Sequence, residues 1–284
     1  RAQPQSSGDS TPINPDAFLP HPAEEKASSS SSSAAATAPA NMEASLAVIK
    51  DTIHRTCPRV YDAATFAAAR AAVRQVGGAA ALKAELEGLG VVADGQLTTG
   101  LKPFNLFARV ASGATVQDGM AGEAVALGRY SKRFMIACNR PENDEMWYSA
   151  EAEWVGRASM AEHHRFLILR DLQWSWFNVL SFGLEGGSSL LSAVELLEAM
   201  QAAAFEFVAN TAGWSSNLGL YFHVYGHASV NALHLHMVDC NATGPTFGAL
   251  QYKNLPLHSA LQVLRSELTA ASFPSPSDPL PAPL

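Results

Sequence analysis

The chain has 284 residues, 48% of them hydrophobic, with 19 basic against 26 acidic residues and a net charge of −7. That length suits one large domain or two small ones, and no run of about 20 apolar residues is present to span a membrane. An acidic chain also argues against long nucleic acid, whose affinity rests on counterion release by a basic surface; a small anion held by a few donors stays open.

Residues 1–41 are rich in Ser, Ala and Pro, with an unbroken serine run at 28–33. So little apolar area cannot offset the entropy of ordering, and a disordered leader is expected. The leader shows no basic-then-apolar signal pattern, and Asp9, Asp16, Glu24 and Glu25 speak against an organelle transit peptide. An intracellular protein, cytoplasmic or nuclear, is therefore expected. Residues 42–100 read as a helical extension. Asn41 can cap a helix carrying Leu46, Ile49 and Ile53 that stops at Pro58. Asp62 can cap a second, through Phe66 and Val73, ended by Gly77 and Gly78. A third covers about 79–89. The three cysteines, Cys57, Cys138 and Cys240, form no CxxC pair and read as reduced, partly buried thiols.

From about residue 101 the texture changes to short runs rich in aromatic and β-branched residues. Candidate strands are 105–110, 124–127, 133–138, 146–155, 165–169, 218–224 and 233–239. A long helical pattern over 190–208 interrupts them, and a last helix is expected over about 257–269. The sum is an α+β fold, an antiparallel sheet crossed by one long helix, over residues 101–272. Residues 273–284 form a Pro-rich tail.

The chemistry concentrates in Ser229-Val230-Asn231-Ala232-Leu233-His234-Leu235-His236-Met237-Val238. On a strand, side chains alternate with period two. Leu233, Leu235 and Met237 then fill a buried face, while His234 and His236 share the other with Ala232 and Val238. Two imidazoles so spaced can meet one small ligand, and the apolar back face holds them rigid.

This stretch resembles the histidine-triad superfamily signature, three histidines alternating with apolar residues, with Ser229 and Val230 standing before it. The run Glu162-His163-His164-Arg165-Phe166-Leu167-Ile168-Leu169 resembles the family's earlier strand, which faces the signature. Two departures stand out: Ala232 occupies the place of the first histidine, and Leu169 that of a proline common at the end of the earlier strand. The resemblance covers roughly residues 101–270. It implies a HIT-like domain in which His234 is the nucleophile and His236 helps hold phosphate oxygens. It further implies a nucleotide hydrolase or nucleotidyl transferase acting at the α-phosphate of a small nucleotide or nucleotide conjugate. A neutral imidazole, with an ordinary pKa of about 6.5, suits that attack at neutral pH. The nucleophile's second N–H should then be held, usually by a backbone carbonyl.

Ser229, His164, His227 and His223 are the expected substrate-binding residues. His223 and His227 are also weighed as stand-ins for the missing first histidine, against a purely structural role. Alternation puts His163 on the face away from His164. No cofactor and no metal is expected. A cupin-like metal site would use the HxH pair, but the carboxylate such sites add is missing, since Cys240 and Asn241 follow. Two alternatives stay open: a non-catalytic nucleotide-binding or scaffold module of the same fold, and a metal-binding HxH site. A homodimer stays open too.

Three further features have plainer readings. The Gly183–Ser189 stretch lacks the Lys-Ser/Thr ending of a phosphate loop and reads as a loop before a helix. Trp174, Trp176 and Phe177 read as packing, with base stacking as the sharper alternative. Glu142, Asp144 and Glu145 read as a solvated loop.

Overall fold

A computed structural model of the chain describes residues 61–100, 105–117, 120–185, 188–226, 230 and 232–272. The leader, the helix expected from Asn41, Cys57, His227, Ser229 and the Pro-rich tail lie outside the described residues.

Helix α1 spans Ala63–Gln75, and Asp62 starts it by accepting the Thr65 N–H at 2.8 Å. Gly77 and Gly78 follow at φ of 113° and 62°, values that side chains disfavour, and the backbone turns there into α2, Gly78–Gly88. A small hairpin pairs β1, Val92–Ala93, with β2, Gln96–Leu97. Asp94 and Gly95 turn it, both at positive φ, as a two-residue hairpin loop requires. Then come α3 (Leu106–Ala111), α4 (Met120–Ala126), β3 (Phe134–Ala137), α5 (Pro141–Glu145) and β4 (His164–Leu169). The long helix α6 covers Ser188–Ala209 and leads to β5 (Leu218–His223) and β6 (His234–Asp239). The described chain closes with α7 (Pro245–Leu250), β7 (Asn254–Pro256) and α8 (Leu257–Ser272).

The main sheet is antiparallel throughout, in the order β3-β4-β6-β5-β7, so β6 is central with β4 and β5 on either side. Register places Ile168 opposite His234 and Phe166 opposite His236, while Tyr221 lies opposite His236 from the other side. Directly opposed residues share a face, so His164, His234, His236 and His223 all project to one side of the sheet. Leu235 and Met237, both fully buried, point to the other. They join a core to which α6 brings Leu196, Leu197, Met200 and Phe207, and α8 brings Leu257, Leu261 and Leu264. Phe66, Val73, Leu82 and Leu86 of α1 and α2 belong to that same core. The helical extension is thus fastened to the sheet domain. Arg70 on α1, fully buried, donates to Glu267 of α8 through Nε at 2.9 Å and Nη2 at 2.6 Å, and to the Leu180 carbonyl at 3.1 Å.

The structure is α+β as expected, with three corrections to its elements. Residues 105–110 form helix α3 rather than a strand. Phe107, Ala108 and Val110 are buried and Ala111 half-buried, a helical rhythm hidden inside a short apolar run. Residues 124–126 close α4, where alanine and glutamate favour helix, and Leu127 follows in a turn. Residues 146–155 form no strand. Local turns satisfy the backbone there, the Trp154 and Val155 N–H groups donating to the Glu151 carbonyl at 2.9 and 3.1 Å. Among the described residues, no helix is long and apolar enough to cross a membrane.

Candidate functional site

The two histidines of β6 do not face solvent. His234 is 6% and His236 5% exposed, because α3 lays Phe107 over the His234 ring at a centroid distance of 4.4 Å, and Phe166 stands edge-on to His236 at 5.0 Å. The sheet brings two more imidazoles onto this face. His164 from β4 stacks on His236, with centroids 5.3 Å apart, and His223 from β5 lies 4.0 Å from His236 and 6.4 Å from His234. His163 turns away and stacks on Trp214.

Hydrogen-bond partners assign the ring protons. The Met160 backbone N–H can only donate, and it reaches His164 Nδ1 at 3.3 Å. Nδ1 is therefore the acceptor, so His164 carries its proton on Nε2 and donates it to His236 Nδ1 at 3.1 Å. His236 in turn donates from Nε2 to His234 Nε2 at 3.1 Å. At the far end His234 Nδ1–H donates to the Ala232 carbonyl at 2.8 Å. A donor-only group opens the series and an acceptor-only group closes it, so neutral rings fit in one direction alone.

Charge state agrees with this pattern. Burial is the main cause that holds all four imidazoles below their ordinary range, His164 down to about 3, His234 to about 4, and His223 and His236 well below 6.5. The positive charge of Lys253 further disfavours protonation of His223, His234 and His236. Burial also lowers the Lys253 ammonium itself, to about 8.

The surrounding shell comes from distant parts of the chain. His223 Nε2–H donates to Asn254 Oδ1 at 2.8 Å, which leaves its Nδ1 lone pair available. Asn178 accepts the Tyr225 N–H at 3.1 Å and donates to the His223 carbonyl at 3.0 Å, fixing the end of β5. Behind His164, Asn139 places its amide nitrogen 3.3 Å from Nδ1 and donates to Asp144 Oδ1 at 3.0 Å and Ser159 Oγ at 2.7 Å. Asp144 also receives Arg165 Nη1 at 3.1 Å. The acidic group at 142–145 is thus a helix, α5, rather than a loop; Glu145 is exposed, but Asp144 turns inward and anchors the support of His164.

Of the expected site residues, His234, His236, His164 and His223 converge on one face, while Ser229 and His227 lie outside the described residues. The aromatic group after β4 packs: Phe177 is fully buried, Trp174 and Trp176 lean on the core, and Trp176 Nε1–H donates to Asp171 at 3.2 Å. Sequence reasoning did not find Asn254, Asn139, Asn178 or Phe107. Each acts across a long sequence separation with no motif of its own.

Comparison with family models, with curated proteins and with solved structures finds no match for this chain.

Proposed function

We propose that the protein is a nucleotide hydrolase or nucleotidyl transferase of the histidine-triad type, acting at the α-phosphate of a small nucleotide conjugate through His234. The observation that carries this reading is the 2.8 Å hydrogen bond from His234 Nδ1 to the Ala232 carbonyl. A nucleophilic imidazole needs one nitrogen held and the other presented as a lone pair, and this contact supplies that division. The contact is made by backbone. The absence of a histidine ring at 232 therefore leaves the orientation of His234 intact.

In the proposed reaction His236 swings its Nε2–H from His234 onto a non-bridging phosphate oxygen, which releases the His234 Nε2 lone pair. Nε2 then attacks phosphorus. An N–P bond forms, the bond to the leaving group breaks with its electron pair, and the leaving group takes a proton from solvent water. Water, or another acceptor hydroxyl, later cleaves the N–P bond and restores neutral His234. Donors aimed at the equatorial oxygens stabilise the charge gathered there, and His236 fills that role, supported by His164 from behind. The antiparallel pairing of β4 with β6 supports the family resemblance, because it sets the His164 strand against the signature strand as the resemblance implies.

A second reading, a nucleotide-binding or scaffold module without turnover, draws on a different observation. In the resting arrangement the His234 lone pair is occupied by His236, and all four rings are at most 8% exposed. Incubation with a fluorogenic AMP-lysine phosphoramidate or a dinucleoside polyphosphate in EDTA separates the two. The enzyme reading expects turnover that falls at least about a thousandfold in His234→Ala, equivalent to about 4 kcal/mol of barrier. Nucleotide binding without turnover in the wild-type chain would leave the module.

A further inference from the structure

We infer that His223, His234 and His236 form a binding site for a divalent transition metal of the zinc class, and that this metal competes with the nucleotide conjugate for the site. Among the described residues these three are the one set of histidine, cysteine or acidic side chains arranged to hold an ion. One ligand nitrogen from each lies within 4.8 Å of the others, and all three residues are buried. The HxH pair alone lacked a third ligand in the sequence after it. The sheet supplies that ligand from β5 instead.

The geometry of the pair is close to what a metal needs. His234 Nε2 and His236 Nε2 stand 3.1 Å apart. Two nitrogens each bonded to zinc at about 2.0–2.1 Å in a tetrahedral site are separated by roughly 3.3 Å, so these rings need to part by only about 0.2 Å. His223, 4.0 Å from His236 by ring centroid, is the third member of the set, and we assign its ligand atom to Nδ1. Nδ1 is its available atom because Nε2–H is engaged by Asn254 at 2.8 Å.

Two of the three ligands already carry the outer support that metal-bound imidazoles use. His234 is oriented by the Ala232 carbonyl and His223 by the Asn254 amide oxygen, each acceptor fixing the tautomer that turns the other nitrogen inward. A set of three imidazoles without a carboxylate selects zinc, cobalt, nickel or copper over magnesium or calcium. Three protein ligands also leave a fourth position open.

His236 requires a rearrangement. Its proton must move from Nε2 to Nδ1, and His164 must accept it at Nε2 while carrying its own proton on Nδ1. Asn139, 3.3 Å from that nitrogen, then has to turn its amide oxygen inward, and the Met160 N–H, which donates to that nitrogen in the metal-free state, has to give up its contact. No proton is gained or lost, yet the shift opposes capture, so the metal-free relay and the metal site are two states of the same rings. The competition rests on the hydrolase reading, since metal occupies the nitrogen that would attack. The metal site itself does not.

The test uses the full chain, stripped with EDTA, desalted and titrated with Co²⁺. The expected result is one equivalent bound with the visible absorption of four-coordinate cobalt, displaced by Zn²⁺, and an affinity reduced at least about tenfold in His223→Gln. Should that variant not fold by circular dichroism, long-range ¹H–¹⁵N spectra of the wild-type imidazoles serve in its place, with Zn²⁺ shifting the three ligand rings and switching the tautomer of His164. No cobalt absorption and no imidazole shift, or equal affinity in a folded His223→Gln, overturns the site. In parallel, turnover of the AMP conjugate is followed in EDTA and with added Zn²⁺, where inhibition is expected. Cobalt binding with no turnover in EDTA removes the hydrolase reading and keeps the metal site. Turnover in EDTA without cobalt binding does the reverse. Turnover that Zn²⁺ leaves unchanged or raises overturns the competition.

Discussion

At the residue scale, what matters at position 232 is the carbonyl rather than the side chain. The missing first histidine looked in the sequence like a gap in the machinery. The structure instead gives the backbone of Ala232 a defined contact with His234. No sequence pattern can announce such a contact, because every residue carries a carbonyl. Histidine pairing within β6 was legible from alternation. The role of His223 was not, because its partner Asn254 lies on another strand 31 residues further on. A second residue-scale device is the cluster of Arg70, Arg74 and Glu267. Burial works against the Glu267 carboxylate, but hydrogen bonds from both arginines outweigh it and hold its pKa down to about 2, against an ordinary 4.5. A lowered carboxylate pKa stabilises the fold above the unfolded value and loses that effect as pH falls through the folded one. The contribution is on the order of 2 kcal/mol after allowance for partial exposure, and roughly half of it is lost between about pH 6 and pH 3. Urea midpoints should show this: the gap between wild type and Glu267→Gln narrows as pH drops, and a gap that stays constant would contradict it.

At the element scale, β6 behaves as a strand buried on both faces, with the apolar set behind and the imidazoles in front. Leu235→Ala leaves a cavity in a site with no exposure and should cost about 2–5 kcal/mol by chemical denaturation. Strands β4, β5 and β6 and helices α6 and α8 were readable because their periodic patterns run long enough to separate a period of 2 from one of 3.6. Helix α3 was misread for the opposite reason. Six residues, five of them apolar, fit either period, and the burial of Phe107 on His234 goes with the helix. The 146–155 stretch failed differently, since Trp147, Tyr148 and Val155 suggested a strand where the chain makes local turns. The start of α1 was legible, and its cap is testable: Asp62→Ala removes the acceptor of the Thr65 N–H and should destabilise by about 1 kcal/mol. A loss too small to measure would mean that the cap adds nothing to the fold.

At the scale of the whole molecule, one core joins the helical extension to the sheet domain, and Arg70 is the buried link between them. Arg70→Ala would leave Glu267 paired with Arg74 and take the Arg70 donor from the Leu180 carbonyl; a loss of about 3–5 kcal/mol is expected. The single core also predicts that α1 and α2 unfold with the sheet. Hydrogen exchange of their core amides should therefore follow that of β6, and early exchange confined to α1 and α2 would refute the link. That the extension packs here could not be seen in an Ala-rich sequence, because its apolar face names no partner. The same whole-molecule arrangement serves the site: β4 sends His164, β5 His223, β6 both His234 and His236, and β7 Asn254 to the histidine face, and α3 covers it.

The central claim, that His234 is the attacking group, is tested most directly by trapping the covalent intermediate. The full chain is mixed with an AMP-lysine phosphoramidate in EDTA, quenched within milliseconds to seconds under alkaline conditions, and mapped by peptide mass spectrometry. The account predicts an AMP adduct on the peptide containing His234, localised to that residue and missing from His234→Ala. Turnover that proceeds with the adduct on another residue, or that persists in His234→Ala, would contradict it.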